Sequence, residues 1–420
     1  MIHLLEIDTN RIQTDLDELS RISDSELPCV TRILWTAKDM LARAWLKTKM
    51  EEAGLVVRED AVGNIFGRLQ AVAPESPVVA TGSHNDAIPF SGMYDGTVGV
   101  LGGLEALRAI RKYLKETSKT LAKSIDLIMF TAEEPTRFGI GCLGSRLMAG
   151  TLSPQQAKAL RDSEGEPLES IRSKAHYTGD LSSVQLKKNC YDAFVELHIE
   201  QGPLLEKAGL QIGIVTAIAA PSSLRVKYEG PGGHAGAVLM KDRRDPLIPA
   251  AKLILEVHNA AHEIGGEDTV ATVGVVKVHP GAINSIPREV IVEMDIRDVD
   301  LERRGRVLKR VEAAAYVIGE AASTPAQLEW INADPPATCD STIVDTIQSV
   351  CETHKFTSQK MISRAYHDSL FMAQICPTAM IFIPCREGIS HRPEEYSSPE
   401  AIEVGVKTLA ATLLKLARFN

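Results

Sequence analysis

The sequence predicts an α/β protein: a mixed, largely parallel sheet flanked by helices, interrupted by a smaller inserted α+β domain of ferredoxin-like order. Three observations carry this reading. Short strands that are apolar on both faces alternate with helical stretches, the pattern of a sheet buried between helices. Near residue 220 the texture changes to long strands and two long helices, and after Asp334-Pro335-Pro336 the first texture returns. A chain of 420 residues is long for one compact core, so two domains are expected.

Taken in order, Ile12, Leu16 and Leu19 keep helical spacing, as do Met40, Leu41, Ala44 and Leu46, giving two helices before a stop at Gly54. The strand "PVVATGS" leads to the helix "TVGVLGGLEALRAIRKYL", "SIDLIMFTAEE" leads to "CLGSRLMAG", and "AFVELHIEQG" precedes "GIVTAI". The insert reads as a strand at "SSLRVKYE", a helix at "DPLIPAAKLILEVHNAAHEI", strands at "TVATVGVVKVH" and "EVIVEMDIRDVD", and a charged helix over 301–321. "TAMIFIPC" restores the first sheet, and Ser398-Pro399 caps a last helix. The expected organisation is a discontinuous catalytic domain, 1–216 and 331–420, with an insert at 217–330.

A formal net charge of −9 argues against nucleic acid and anionic membranes as partners, because an acidic surface offers them no counter-charge. No apolar run approaches the roughly 20 residues of a membrane span. The acidic, amphipathic opening stretch is unlike a signal peptide. Seven cysteines without a CxxC pair read as reduced and structural.

Chemistry gathers where strands end. In open α/β sheets ligands collect at strand exits, and "TGSHND" and "FTAEEPTRFG" both sit at one. Four loops offer metal donors: His84 with Asp95, Glu133-Glu134, His198, and His391. Imidazoles with carboxylates and no thiolate suit Zn²⁺, Mn²⁺ and related divalent ions. Asp95, at a Tyr-Asp-Gly turn, is the kind of short carboxylate that bridges two metals about 3.5–4 Å apart. The adjacent glutamates invite a division of labour, one holding metal and the other moving a proton. Singly these signals are weak, since a lone loop histidine is more often structural and "EE" more often a solvated face. Four of them at strand exits are not.

A second group lies in the insert: His234 in "GGHAGA", Asn284 in "HPGAINSIP" and Arg297 in "MDIRD". An Arg fork binds a carboxylate bidentately, and Asn or His donors polarise a carbonyl. Arg297 between Asp295 and Asp298 could equally belong to a surface ion-pair network, and the glycines around His234 could merely serve a turn.

Together, "GSHND…YDG", "FTAEEPTRFG", "LHIEQGP", "GGHAGA", "HPGAINSIP" and "SHRPEEYS" resemble the dinuclear amidohydrolases of the M20 peptidase superfamily, from about residue 15 to the end of the chain. The nearest branch is that of the allantoate, ureidoglycolate and N-carbamoyl-L-amino-acid amidohydrolases. Within it, "RAYHDSLFMA" and "IFIPCREGISHRPEEYSSPE" are most similar to the ureidoglycolate-cleaving members. Allantoate and carbamoyl relatives usually read G-A-G-H-D-A where this chain has Arg364-Ala365-Tyr366-His367-Asp368-Ser369.

The resemblance implies two divalent cations per subunit, with His84 and His198 at one, Glu134 and His391 at the other, and Asp95 bridging. Asp86 would stand behind His84, orienting that imidazole or tuning the base, and Glu133 would be the general base. His234, Asn284 and Arg297 would bind substrate, the first two in a neighbouring subunit's site. Gln201, Tyr366 and His367 would line the pocket together with Glu133, Glu134 and His198. Asn85, where an apolar residue is commoner, is expected to point away from the metals. Manganese is the favoured metal because ureide-pathway members use it; Zn²⁺, Co²⁺ and Ni²⁺ suit the same donors.

The expected reaction is hydrolysis of the ureido C–N bond of (S)-ureidoglycolate in purine breakdown, giving ammonia, carbon dioxide and, through hydroxyglycine, glyoxylate. The alternatives are allantoate or N-carbamoyl-amino-acid hydrolysis. An ordinary metallopeptidase fits "LHIEQGP" and "GAINSIP" less well, and a non-catalytic dimeric binding protein would be expected to lack a ligand or the base. The resemblance also implies a homodimer whose insert serves dimerisation and closure. Its compartment would be the endoplasmic reticulum for a plant member with its leader removed, and the cytoplasm otherwise.

Overall fold

Helices α1 (Thr9–Ser20) and α2 (Ala37–Glu52) form as their apolar spacing predicts, the first capped by the Asp8 side chain and the second by Thr36. The computed structural model describes residues 5–73, 75 and 77–418, so the first four residues of the acidic opening stretch lie outside it. Further helices are α3 (Thr97–Thr117), α4 (Leu143–Ala149), α5 (Leu168–Lys174), α6 (Leu247–Ile264), α7 (Leu301–Ala321) and α8 (Pro399–Ala417). The Ser398 hydroxyl accepts from Ala401 N at the start of α8, the expected cap.

Strands β1 (Val56–Glu59), β2 (Ile65–Leu69), β3 (Val78–His84), β4 (Ser124–Phe130), β5 (Ala193–Ile199) and β6 (Ile212–Ile218) belong to the first unit. The insert contributes β7 (Ala220–Glu229), β8 (Val270–His279), β9 (Glu289–Asp298) and β10 (Ala326–Ala333), and the chain returns with β11 (Thr378–Ile383). In the large sheet the order is β6-β11-β5-β3-β4-β2-β1, with the short strands Ala337–Thr338 and Ser358–Ser363 beside β6. The middle four, β11-β5-β3-β4, run parallel, whereas β6, β2 and β1 pair antiparallel. Because the central strands are covered on both faces, β4 and β5 are buried at every residue. Helices α3 and α8 pack against them, and a core of Ala80, Ile128, Phe130, Phe194, Leu143, Leu147 and Ile171 joins the sheet to α4 and α5.

The insert is an antiparallel sheet, β8-β9-β7-β10, whose alternate residues are buried. Leu224, Val226, Tyr228, Val290, Val292, Met294 and Ile296 face Leu253, Val257, Val307 and Val311 of α6 and α7. The opposite residues form an ionic surface, with Arg225 bridging Glu293 and Glu329. The insert ends later than the sequence suggested. The boundary expected at 330 falls inside β10, and the second compact unit comprises Ala217–Ala337 with Arg364–Tyr366. A register shift between Trp330 and Asn332 breaks the two-residue alternation that would have revealed this fourth strand. All seven cysteines are free, and among the described residues no helix is long and apolar enough to cross a membrane.

Candidate metal centre

The parallel strands deliver their C-terminal ends to one place, as the sheet rule anticipates. His84 closes β3, Glu133 and Glu134 follow β4, and His198 lies near the end of β5; Asp95 precedes α3, and His391 sits between β11 and α8. Asp95 is the hub. Its Oδ1 lies 3.1 Å from His198 Nε2 and 3.7 Å from His84 Nε2. Its Oδ2 lies 3.1 Å from His391 Nε2, which is in turn 3.3 Å from Glu134 Oε1. The donors thus fall into two groups, His84-Asp95-His198 and Asp95-Glu134-His391, each compact enough to surround one ion.

The imidazoles are oriented for this. His84 Nδ1 lies 3.1 Å from the Asp86 carbonyl and His198 Nδ1 lies 2.9 Å from the Ile199 carbonyl, so Nε2 is the nitrogen each presents inward. The Asp86 carboxylate accepts from Glu133 N (3.2 Å) and Glu134 N (3.0 Å), so one short side chain holds both glutamates in place. Asp86 therefore orients His84 chiefly through its carbonyl and the glutamates through its carboxylate. At Gly96 φ is +64°, and a Cβ would meet the His84 ring at 2.4 Å, which explains a glycine directly after Asp95. Gln201 donates to Asp95 Oδ2 at 2.7 Å, while its Oε1 is buried with no hydrogen-bond partner among the described residues. Arg32 donates to the carbonyl of buried Asn85, fixing the backbone between His84 and Asp86.

The charges demand cations. Burial, with Glu134, Asp368 and Asp95 nearby, pushes Glu133 well above the usual carboxylate range, and burial raises Glu134 as well. Burial tends to lower His84, but hydrogen bonds to Asp86 and Asp95 outweigh it and hold the imidazole well above its ordinary value. Hydrogen bonds to Asp95 and Glu134 push His391 to about 11. Asp95, despite burial, is held well below its ordinary value by the three histidines. Mixed imidazole and carboxylate donors, arranged around a carboxylate with one oxygen for each group, fit a pair of divalent ions. Access is from the His391 side, whose side chain is 46% exposed against 2% for His84.

His367 is buried behind this cluster, its ring centroid 4.5 Å from that of His198 and its Nε2 3.1 Å from Ser363 Oγ. The other expected substrate residues belong to the insert unit. His234 and Ser285 pair in a short ribbon, and Ala235 N donates to the Asn284 carbonyl, so "GGHAGA" and "HPGAINSIP" come together. Arg297 stands at the far end of β9. It forks onto Asp295 at 2.9 and 3.0 Å, Asp298 pairs instead with Arg303, and the Tyr366 ring lies 5.6 Å from the Arg297 guanidinium. The ion-pair reading of Arg297 thus holds for Asp295.

The sequence matches peptidase family M20/M25/M40 over residues 81–415. The chain belongs to that family. Among M20 relatives it is 51% identical to the ureidoglycolate hydrolase of Arabidopsis thaliana, over 98% of this chain and 87% of that one. It is 37% identical to the N-carbamoyl-L-amino acid amidohydrolase of Geobacillus stearothermophilus, over 98% and 99%. The crystal structure of AtUAH in complex with (S)-hydroxyglycine matches with a TM-score of 0.90 at 50% identity, over 99% of both chains.

One residue that shapes this M20 centre was not singled out from the sequence. Glu395, 3% exposed, accepts from Tyr94 N and Asp95 N on one oxygen and from Ser390 Oγ and His391 N on the other. Burial and the nearby Asp95 raise it to about 7. It stitches the Asp95 loop to the His391 loop. Its only signal was the third Glu-Glu pair of the chain, in which Glu394 is exposed and Glu395 is not.

Proposed function

We propose that this chain hydrolyses the ureido C–N bond of (S)-ureidoglycolate. The observation that carries the hydrolytic reading is the division of Asp95, one oxygen toward each donor group, beside a Glu133 that belongs to neither. The resemblance to proteins named ureidoglycolate hydrolase supports the substrate, and so does Tyr366, which brings bulk beside Arg297. The nearest alternative, an N-carbamoyl amino acid or allantoate, fits chains with a glycine at that position.

Bound at these donors, two divalent cations would polarise the ureido carbonyl and lower the pKa of water beside it. Mn²⁺ is our favoured ion, with Zn²⁺, Co²⁺ and Ni²⁺ chemically admissible. Glu133, through the Oε2 turned toward His84, takes a proton from the attacking water and returns it to the departing nitrogen. His234 donates to the developing oxyanion and Arg297 grips the substrate carboxylate, with Asn284, Gln201, Tyr366 and His367 shaping selectivity. The carbamate half is lost as ammonia and carbon dioxide, and hydroxyglycine collapses to glyoxylate with release of the second ammonia.

A homodimer completes this reading. Arg297 lies eight residues along β9 from Glu289, about 26 Å at strand rise, whereas Asn284 lies beyond the Glu289 end. One insert therefore cannot offer both His234-Asn284 and Arg297 to the same small molecule, and sharing between subunits resolves this. The edge strand β8, and Ile248 and Leu255 exposed on α6, supply an apolar surface for the partner.

The test is ammonia release from fresh ureidoglycolate, allantoate and N-carbamoyl amino acids, on chelator-treated protein with Mn²⁺ or Zn²⁺ restored. Turnover confined to ureidoglycolate is expected. Preference for another ureido acid would keep the centre and overturn the substrate.

A further inference from the structure

We propose that Cys142 is a positioning residue for Glu133: its thiol donates to Glu133 Oε1 at 3.7 Å and so leaves Oε2 facing His84 at 3.9 Å. The proposal rests on Glu133 being the base and says what aims it.

Glu133 and Cys142 are held together twice. Cys142 N donates to the Glu133 carbonyl at 2.8 Å, and the next two rungs, Leu143 N to the Ala132 carbonyl and Gly144 N to the Thr131 carbonyl, continue the pairing at 2.8 Å each. The exit of β4 and the start of α4 are thereby fastened together, and the thiol extends that join to the carboxylate. Cys142 occupies the position before α4, yet its side chain makes no capping hydrogen bond.

Its backbone is left-handed, φ 56° and ψ 38°, a conformation that strains an L residue and not glycine. The residue is fully buried, so the thiol gains nothing from water. A thiol is a weak donor. It can fix the direction of a carboxylate while withdrawing little of the electron density that a base needs. Burial, with Glu133 and Asp368 beside it, keeps the sulfur protonated and hence a donor.

The experiment compares wild type, Cys142→Ala, Cys142→Gly, Cys142→Ser and Glu133→Gln as metal-loaded holoenzymes, using whichever ureido acid the wild type turns over. Steady-state kinetics, metal content and thermal midpoint are read for each. For Ala and Gly we expect kcat to fall about tenfold or more, with KM and metal content unchanged, since misaiming a reacting group by a fraction of an ångström has effects of this order. Glycine relieves the left-handed strain, so its slowness would not come from a less stable backbone. Serine keeps a donor and restores most of kcat.

Wild-type kcat in both donor-free variants would overturn the proposal. So would a serine variant as slow as alanine, or a loss that falls on KM or metal content. An active Glu133→Gln would instead remove the base on which the proposal stands, an outcome distinct from a normal Cys142→Ala beside an inactive Glu133→Gln.

Discussion

At the scale of single residues, the centre is a problem in charge density solved by protons or by metal. In chelator-stripped protein His391 keeps its proton up to about pH 11, because Asp95 and Glu134 hydrogen-bond to it. A metal ligand must be the neutral imidazole, so cation uptake expels that proton. Affinity should therefore rise with pH, by about tenfold per unit for each proton released, across the neutral range and up to that pKa. Calorimetric titration of Mn²⁺ in buffers of different ionisation heat measures the proton count. An affinity flat across the neutral range, roughly pH 6 to 8, would show that His391 is not a ligand. His84 adds to the effect in the same direction, since it too is held above its ordinary value.

At the scale of elements, the loops matter more than the strands that present them. Glu395 satisfies donors from residues 94–95 and 390–391, so Glu395→Ala strands several buried groups at once. Loss of about 1–3 kcal/mol in denaturant unfolding is expected, together with weakened metal binding in a dialysis assay; a neutral substitution would show the two loops to be independently rigid. The same elements show how far the residues could be read in advance. Strands β3, β4 and β5 and the ligands at their ends were legible because apolar runs and sharp turns are local signals. The strand β10 was not, because a register shift disturbs its alternation. Glu395 and Cys142 were not, because a Glu-Glu pair with one buried member spells the same as a solvated one, and a cysteine's partner nine residues away is set by loop geometry rather than spacing. Asp86 was anticipated as a support for His84 or for the base, and its carboxylate meets the backbone N–H groups of Glu133 and Glu134.

At the scale of the whole molecule, the expected homodimer has a test that needs no structure. If His234 serves a neighbour's site, neither His234→Ala nor Glu133→Gln protein works alone, but mixed subunits carry one site with both groups intact. Refolding the two together should recover about a quarter of wild-type activity, the share expected from random pairing in a two-fold dimer. No recovery would assign His234 to its own subunit, or to no site at all. The separation of Asn284 from Arg297 along β9 makes recovery the expected result.

The join made by Glu395 has a consequence in time. The partners it connects are encoded about 300 residues apart. While the protein is being made, His84, Asp95, Glu134 and His198 all exist long before His391 and Glu395 do. A growing or prematurely terminated chain can hold at most one of the two donor groups. The second donor group thus exists only once the segment carrying His391 and Glu395 has been made and has met the Asp95 loop.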